Sequence, residues 1–281
     1  MRITKFTVLL LLITFAAFNS LNAQVKSTSK NWKSATFTIE INPSYVLPLQ
    51  ESKGNLGELF QFKNYGMKYG WGASFNFKFG LGPQAQYRPY LSLSFVQMQN
   101  KDDNFAHIKS NYLNSGYPYP SGTDTSVAGT SEMVIRFPSI AAGFEYAFMT
   151  VDKKKRKWYP HIGVEFLLSV IAGTYKQTSP NVTVDPNLQT SYIMKSDVRM
   201  GFGASLGATV RLGKSAGITF GGKYKLFNLF GKKSDFLKEV NKFNILDKAN
   251  TSLNSSLSKD RNMGALEFYI GATIFLGKSK K

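Results

Sequence analysis

Apolar side chains recur at every second position through eight stretches of the chain, each roughly ten to fifteen residues long, and this spacing predicts strands with two different faces. The clearest stretch sets Met200, Phe202, Ala204, Leu206, Ala208, Val210 and Leu212 against Arg199, Gly201, Gly203, Ser205, Gly207, Thr209 and Arg211. Another sets Ile162, Val164, Phe166, Leu168 and Val170 against His161, Gly163, Glu165, Leu167, Ser169 and Ile171. Residues 139–148 and 266–276 repeat the pattern, and residues 37–47, 69–80, 87–99 and 217–226 complete the set. Pro43 and Pro48 cannot donate to a strand ladder, so the first stretch is expected to carry a frayed rim or a bulge.

The second face decides the class. A soluble β-sandwich turns its apolar face inward and covers the other with long charged and amide side chains. Here the second face is mostly Gly, Ser, Ala and Thr with isolated charges, which suits the narrow polar interior of a membrane barrel whose bulky residues face lipid. Short connections at 80–86, 151–157 and 213–216 alternate with long ones at 48–68, 100–132, 176–198 and 228–262. The predicted fold is therefore an all-β, eight-stranded antiparallel up-and-down transmembrane β-barrel, with short periplasmic turns and long extracellular loops. Trp32, Trp71 and Trp158 fall near segment ends with Tyr45, Tyr69, Tyr87, Tyr90, Tyr159 and Tyr175, as interfacial girdles require. In the last long loop, Ser234-Asp235 followed by Phe236, Val240, Phe243 and Leu246 fits a short helix or an irregular loop.

At the N-terminus Arg2 and Lys5 precede an apolar run over 6–18, and Leu21-Asn22-Ala23 then leads into Gln24. That order predicts a signal peptide over 1–23, cut after Ala23, with residues 24–281 forming the barrel. No other stretch is long and apolar enough for a membrane-spanning helix, so any insertion uses strands. The chain has no cysteine, which excludes disulfides, thiolate metal sites, cysteine nucleophiles and a lipidated N-terminal cysteine. Its net charge is +18, and the runs Lys153-Lys154-Lys155-Arg156-Lys157 and Lys278-Ser279-Lys280-Lys281 show that the excess sits in turns and tails. No nucleic-acid module surrounds these residues, so nucleic acid is not an expected partner. Outer-membrane lipid headgroups and lipopolysaccharide phosphates are the expected counterpart of such charge. An extracellular or envelope protein partner is left unidentified.

The alternation places Glu40, Lys78, Arg88, Glu145, Glu165, Arg199, Arg211, Lys223, Lys225 and Glu267 inside the barrel. Charges removed from water must be paired, and side chains roughly fill a barrel of eight strands, so these residues are expected to form a packed lumen charge network. The alternative is a conducting path lined by Lys78, Arg88, Arg211 and Lys223. Folding about the 151–157 turn brings Glu145 opposite or diagonal to Glu165, which calls for a cation between them, with Arg199 or Arg211 as candidates. His161, Glu165 and Ser169 share a face, but four residues of strand span about 13 Å, too far for a catalytic triad. His107 lies in a long loop without an evident partner. No phosphate-binding glycine motif, metal-ligand cluster or nucleophile elbow is present in the sequence, so catalytic residues, cofactors and metals are not expected.

Residues 200–212 and 265–277, together with a leader ending Asn22-Ala23-Gln24, resemble the outer-membrane β-barrel domain family that includes OmpA/OmpX-type barrels and PorT-like proteins. The resemblance covers the chain beyond the leader and rests on pattern. It implies a small barrel in a Gram-negative outer membrane, serving as an anchor, an adhesion or defence surface, a small pore or an accessory part of secretion machinery. The expected function is non-enzymatic, structural or surface-interacting through the loops. The alternative is a narrow pore or small-ligand-binding barrel.

Overall fold

The computed structural model describes residues 35–53, 66–102, 130–150, 157–178, 191–232, 242–243, 246 and 262–277. Its strands are β1 (Phe37–Gln50), β2 (Tyr69–Phe79), β3 (Tyr87–Asp102), β4 (Thr130–Ala147), β5 (Trp158–Thr178), β6 (Ser191–Arg211), β7 (Ala216–Phe230), β8 (Lys242–Phe243) and β9 (Met263–Leu276). All but β8 form one closed antiparallel ring, in the order β5-β4-β3-β2-β1-β9-β7-β6, with β6 pairing back onto β5. The seam runs between β1 and β9, from Phe37 opposite Leu276 to Gln50 opposite Met263. This is the eight-stranded barrel that the alternation predicted.

The outer surface is apolar. Ile140, Val164, Leu206 and Ile270 are each 60–65% exposed, and the same outward rows hold Trp71, Phe75, Leu91, Phe144, Phe166, Phe202, Phe220 and Phe268. Along β5 the apolar outward row runs from Trp158 to Val170. At about 3.3 Å per residue and a strand tilt of about 40°, that row is roughly 30 Å tall.

Four details differ from the sequence reading. The strands are longer than the alternation indicated, with 18 residues in β4 and 21 in each of β5 and β6. The reason is that the alternation inverts near the loop end: Gln97, Gln99, Glu132, Arg136 and Lys176 turn outward while Met98, Met133, Ile135, Ile171, Tyr175 and Met194 turn inward and are buried. A strand with its phase reversed no longer resembles the belt pattern, so its residues read as loop. Pro43 causes no bulge. It stands opposite Ala73 in unbroken register with β2, and the β9 ladder resumes at Ser44 opposite Tyr269 without a shift. Of the predicted girdle residues, Tyr45, Tyr69, Trp71, Tyr87 and Trp158 face outward, whereas Tyr90, Tyr159 and Tyr175 point inside and are buried. Trp32 lies outside the described residues. Lys242–Phe243 is not helical but a two-residue strand lying parallel to Ile193–Met194 of β6, and the rest of the proposed helix, except Leu246, falls outside the described residues.

The interior has two storeys. Toward the short turns it is polar and charged. Toward the long loops it is an apolar plug of Val46, Met67, Val96, Met98, Met133, Ile135, Phe137, Leu167, Ile171, Tyr175, Met194, Phe227, Leu246, Met263 and Ala265. Phe137 and Phe227 stack across the barrel with ring centroids 4.4 Å apart. Two plug residues come from outside the ring of long strands. Met67 is tied down by its own N–H donating to Ser52 O at 2.9 Å, and Leu246 by its carbonyl accepting from Asn228 Nδ2 at 3.2 Å. Five of the eight methionines lie in this plug, where unbranched thioether side chains fill the irregular space between strands better than branched ones can.

Truncating Phe137 would leave a cavity that the surrounding ring cannot collapse into. Phe137→Ala is expected to cost about 3–5 kcal/mol in a urea titration of the detergent-refolded barrel. A loss below about 1 kcal/mol would mean that the plug is loosely packed.

Candidate functional site

Strand pleating sends alternate residues of every strand into the same narrow space, and near the turns that space receives most of the buried charges. Small residues on facing strands make room for them. A Cβ at Gly143 would strike the Tyr90 ring, and one at Gly207 would strike both the Tyr269 hydroxyl and the His161 ring. Tyr90 and Tyr269 thus cross the lumen because glycines stand where other side chains would block them.

The charges fall into separate clusters. Nearest the turns, Lys78 of β2 lies between Glu40 of β1, at 2.8 Å, and Glu145 of β4, to which it donates a short hydrogen bond. Arg88 of β3 approaches the other Glu145 oxygen at 3.3 Å and also donates to the Tyr159 hydroxyl at 3.1 Å and to the Ala85 carbonyl at 3.0 Å. His161 Nδ1 is 3.2 Å from Glu145. One step toward the loops, Glu165 of β5 accepts from Lys223 Nζ and from the Tyr90 hydroxyl, both at 2.9 Å. Beyond it Lys225 pairs with Glu267 at 2.9 Å and reaches Ser94 at 3.3 Å.

Glu145 and Glu165 are diagonal neighbours, Glu145 standing opposite Gly163 and Glu165 opposite Gly143. The cations that serve them are Lys78, Arg88 and Lys223, arriving from across the lumen. Neither arginine proposed from the sequence fills that place among the recorded contacts. Arg199 bonds Asp197 at 2.8 Å, and the Arg211 guanidinium lies 4.3 Å from the centre of the Phe275 ring near the turns. Both arginines are fully inside. Tyr90 separates the two carboxylates, its ring about 6 Å from both Lys78 Nζ and Lys223 Nζ. Sequence reasoning missed Tyr90 and Tyr159 as network members because it placed them in the girdle. Their even spacing from Arg88 and their step of two from His161 were the signals that could have put them on the inner face.

The space left within this storey is small. The cavity lined by Glu40, Asn42, Asn76, Lys78, Tyr90, Glu145, Lys223, Glu267 and Tyr269, among others, offers about 10 Å³ to the centre of a water-sized sphere, room for about one water. The apolar plug stands between it and the loop end. The triad geometry is absent among the described residues: Ser169 Oγ sits 2.7 Å from Ser139 Oγ, while His161 turns to Glu145. His107 lies outside the described residues. Among the described residues no cluster of His, Cys, Asp or Glu could hold a metal ion.

No protein-family model matches the chain, and no curated protein is recognisably similar to it in sequence. Among solved structures it is similar to Neisserial surface protein A, at 12% identity and a TM-score of 0.41, covering 86% of this chain and 98% of that one. It is also similar to Ail, the attachment invasion locus protein of Yersinia pestis, solved with the heparin analogue sucrose octasulfate, at 10% identity and a TM-score of 0.37, covering 84% and 98%. The N-terminal β-barrel domain of Pseudomonas aeruginosa OprF matches at 8% identity and a TM-score of 0.33, covering 84% and 96%. Overlaps this loose carry no argument about what the chain binds.

Removing one partner of a buried pair strands the other without water. Lys78→Met is therefore expected to destabilise the barrel by about 3–5 kcal/mol. In the second cluster, the double variant Lys223→Met/Glu165→Gln should lose less than the two single variants summed, by about 0.5–3 kcal/mol. Strict additivity in urea titrations would show that this pair does not interact.

Proposed function

We propose that the chain is a non-enzymatic outer-membrane β-barrel of a Gram-negative bacterium, sealed along its axis and working through its loops as a structural or surface-interaction element. One observation carries the reading: a closed ring of strands wears bulky apolar side chains outside and charges inside. A soluble protein cannot keep a continuous apolar belt roughly 30 Å tall in water, whereas that height matches a bilayer's hydrocarbon core. Closure pairs the backbone groups of the belt within the sheet, as hydrocarbon surroundings demand. Export by a signal peptide over 1–23 accounts for the basic, apolar and small-residue order at the N-terminus. Short turns then face the periplasm and the long connections face outward.

The interior argues against transport. A lumen with space for about one water, closed beyond by an apolar plug, offers ions neither width nor a wet route. The charge clusters accordingly have a structural task, filling the polar storey and fixing which strands face one another.

The deciding measurement is conductance of the refolded chain in a planar bilayer, after heat-modifiable gel migration has established folding. A silent bilayer is expected. Steady openings whose selectivity changes in Arg88→Gln or Lys223→Gln would establish a pore instead. Release of the native protein by carbonate without detergent would sink the membrane placement itself.

A further inference from the structure

Positive charge is distributed very unequally between the two ends of this barrel. The three short connections and the segment after β9, residues 80–86, 148–157, 212–215 and 277–281, hold nine basic residues and one acidic residue in 26 positions. The segment leading into β1, residues 24–36, enters at the same end with three more lysines and no acid. The four long connections, residues 51–68, 103–129, 179–190 and 231–262, hold eleven basic and nine acidic residues in 89 positions. The loop end is thus nearly neutral, and the excess belongs to the turn end.

The fold gathers this charge on one arc. Arg211 N–H donates to the Lys157 carbonyl at 2.7 Å, which sets the end of the β4–β5 connection beside the β6–β7 turn. Phe275 N–H donates to the Ser215 carbonyl at 2.8 Å, which sets that turn beside the end of β9. Lys157 and Lys214 are both exposed, and Lys157 directly follows the run Lys153-Lys154-Lys155-Arg156 in the sequence. The uncharged β2–β3 turn lies off this arc. Trp158, 59% exposed, marks where the apolar belt stops, and Lys157 is the next residue out. An exposed Trp at the belt edge sits at headgroup depth, so the lysines beyond it stand at the level of lipid phosphates.

We propose that the turn end, along the arc of Lys157, Lys214 and the flanking basic segments, docks the anionic phospholipid headgroups of the leaflet it faces. This rests on the membrane-barrel reading above. Lipid phosphate is the occupant because the charge lies beside the aromatic edge of the belt, where basic side chains are drawn to an anionic surface. The near neutrality of the loop end removes the reason to assign the charge to lipopolysaccharide on the opposite face.

The test uses the chain with residues 1–23 removed, carrying Trp32→Phe and Trp71→Phe so that Trp158 reports alone. It is reconstituted in phosphatidylcholine vesicles containing phosphatidylglycerol, with bromine on the acyl chains of one lipid or the other. Brominated phosphatidylglycerol is expected to quench Trp158 about threefold more strongly per lipid than brominated phosphatidylcholine. That preference should disappear in 0.5 M salt and in a variant with residues 153–157 and 214 changed to Gln, whose folding is checked by heat-modifiable migration. A companion protein retaining only Trp71, near the loop end, should show no preference. Equal quenching of Trp158 by both lipids overturns the proposal while leaving the membrane barrel intact. So does a preference that survives in the Gln variant, or one found at Trp71 and not at Trp158. Quenching of neither tryptophan by any brominated lipid defeats the membrane reading instead. Loss of the preference on adding soluble polyglutamate at equal charge would point to an acidic polypeptide as the stronger partner and would also overturn the proposal.

Discussion

The seam between β1 and β9 is the contact on which the rest of the molecule depends. Without it the sheet would end in two strands with unpaired amides and carbonyls amid apolar side chains, a cost hydrocarbon surroundings do not permit. With it the ring closes, and closure at eight strands fixes a narrow interior that side chains must fill. The glycines of β4 and β6, the crossing tyrosines and the buried ion pairs all answer that geometric demand.

The interior is filled with two materials, and their order follows from what the outside is doing. Where the outer face is apolar, the inner face carries charges and hydroxyls, matched so that each carboxylate of the polar storey lies within reach of a cation. Where β3 to β6 rise past the belt, the outer face becomes polar and the inner one turns to Met, Ile, Val and Phe. Buried ion pairs are modest contributors to net stability because desolvation offsets attraction. They do penalise wrong pairings heavily, since a shift of one strand by a single residue would send its charges into the belt. The plug supplies the apolar packing that the polar storey lacks.

Much of this was legible in the sequence. Period-two alternation located eight strands, the small-and-polar second face identified a barrel interior, and the alternating lengths of connections set both ends. The inward placement of Glu40, Lys78, Arg88, Glu145, Glu165, Arg199, Arg211, Lys223, Lys225 and Glu267 followed from parity alone. The inverted upper halves of β4, β5 and β6 were not legible, because an alternation that changes phase looks, in one dimension, like the end of a strand.

Parity along each strand, set by local backbone geometry, determined which residues face in. Which of them meet was decided by the closed ring. Lys78 serves Glu145 from two strands away and Lys223 serves Glu165 from beyond β6, so their pairing depends on stagger around the barrel and on lumen width. Those are properties of eight strands closed on one another, and no single strand contains them.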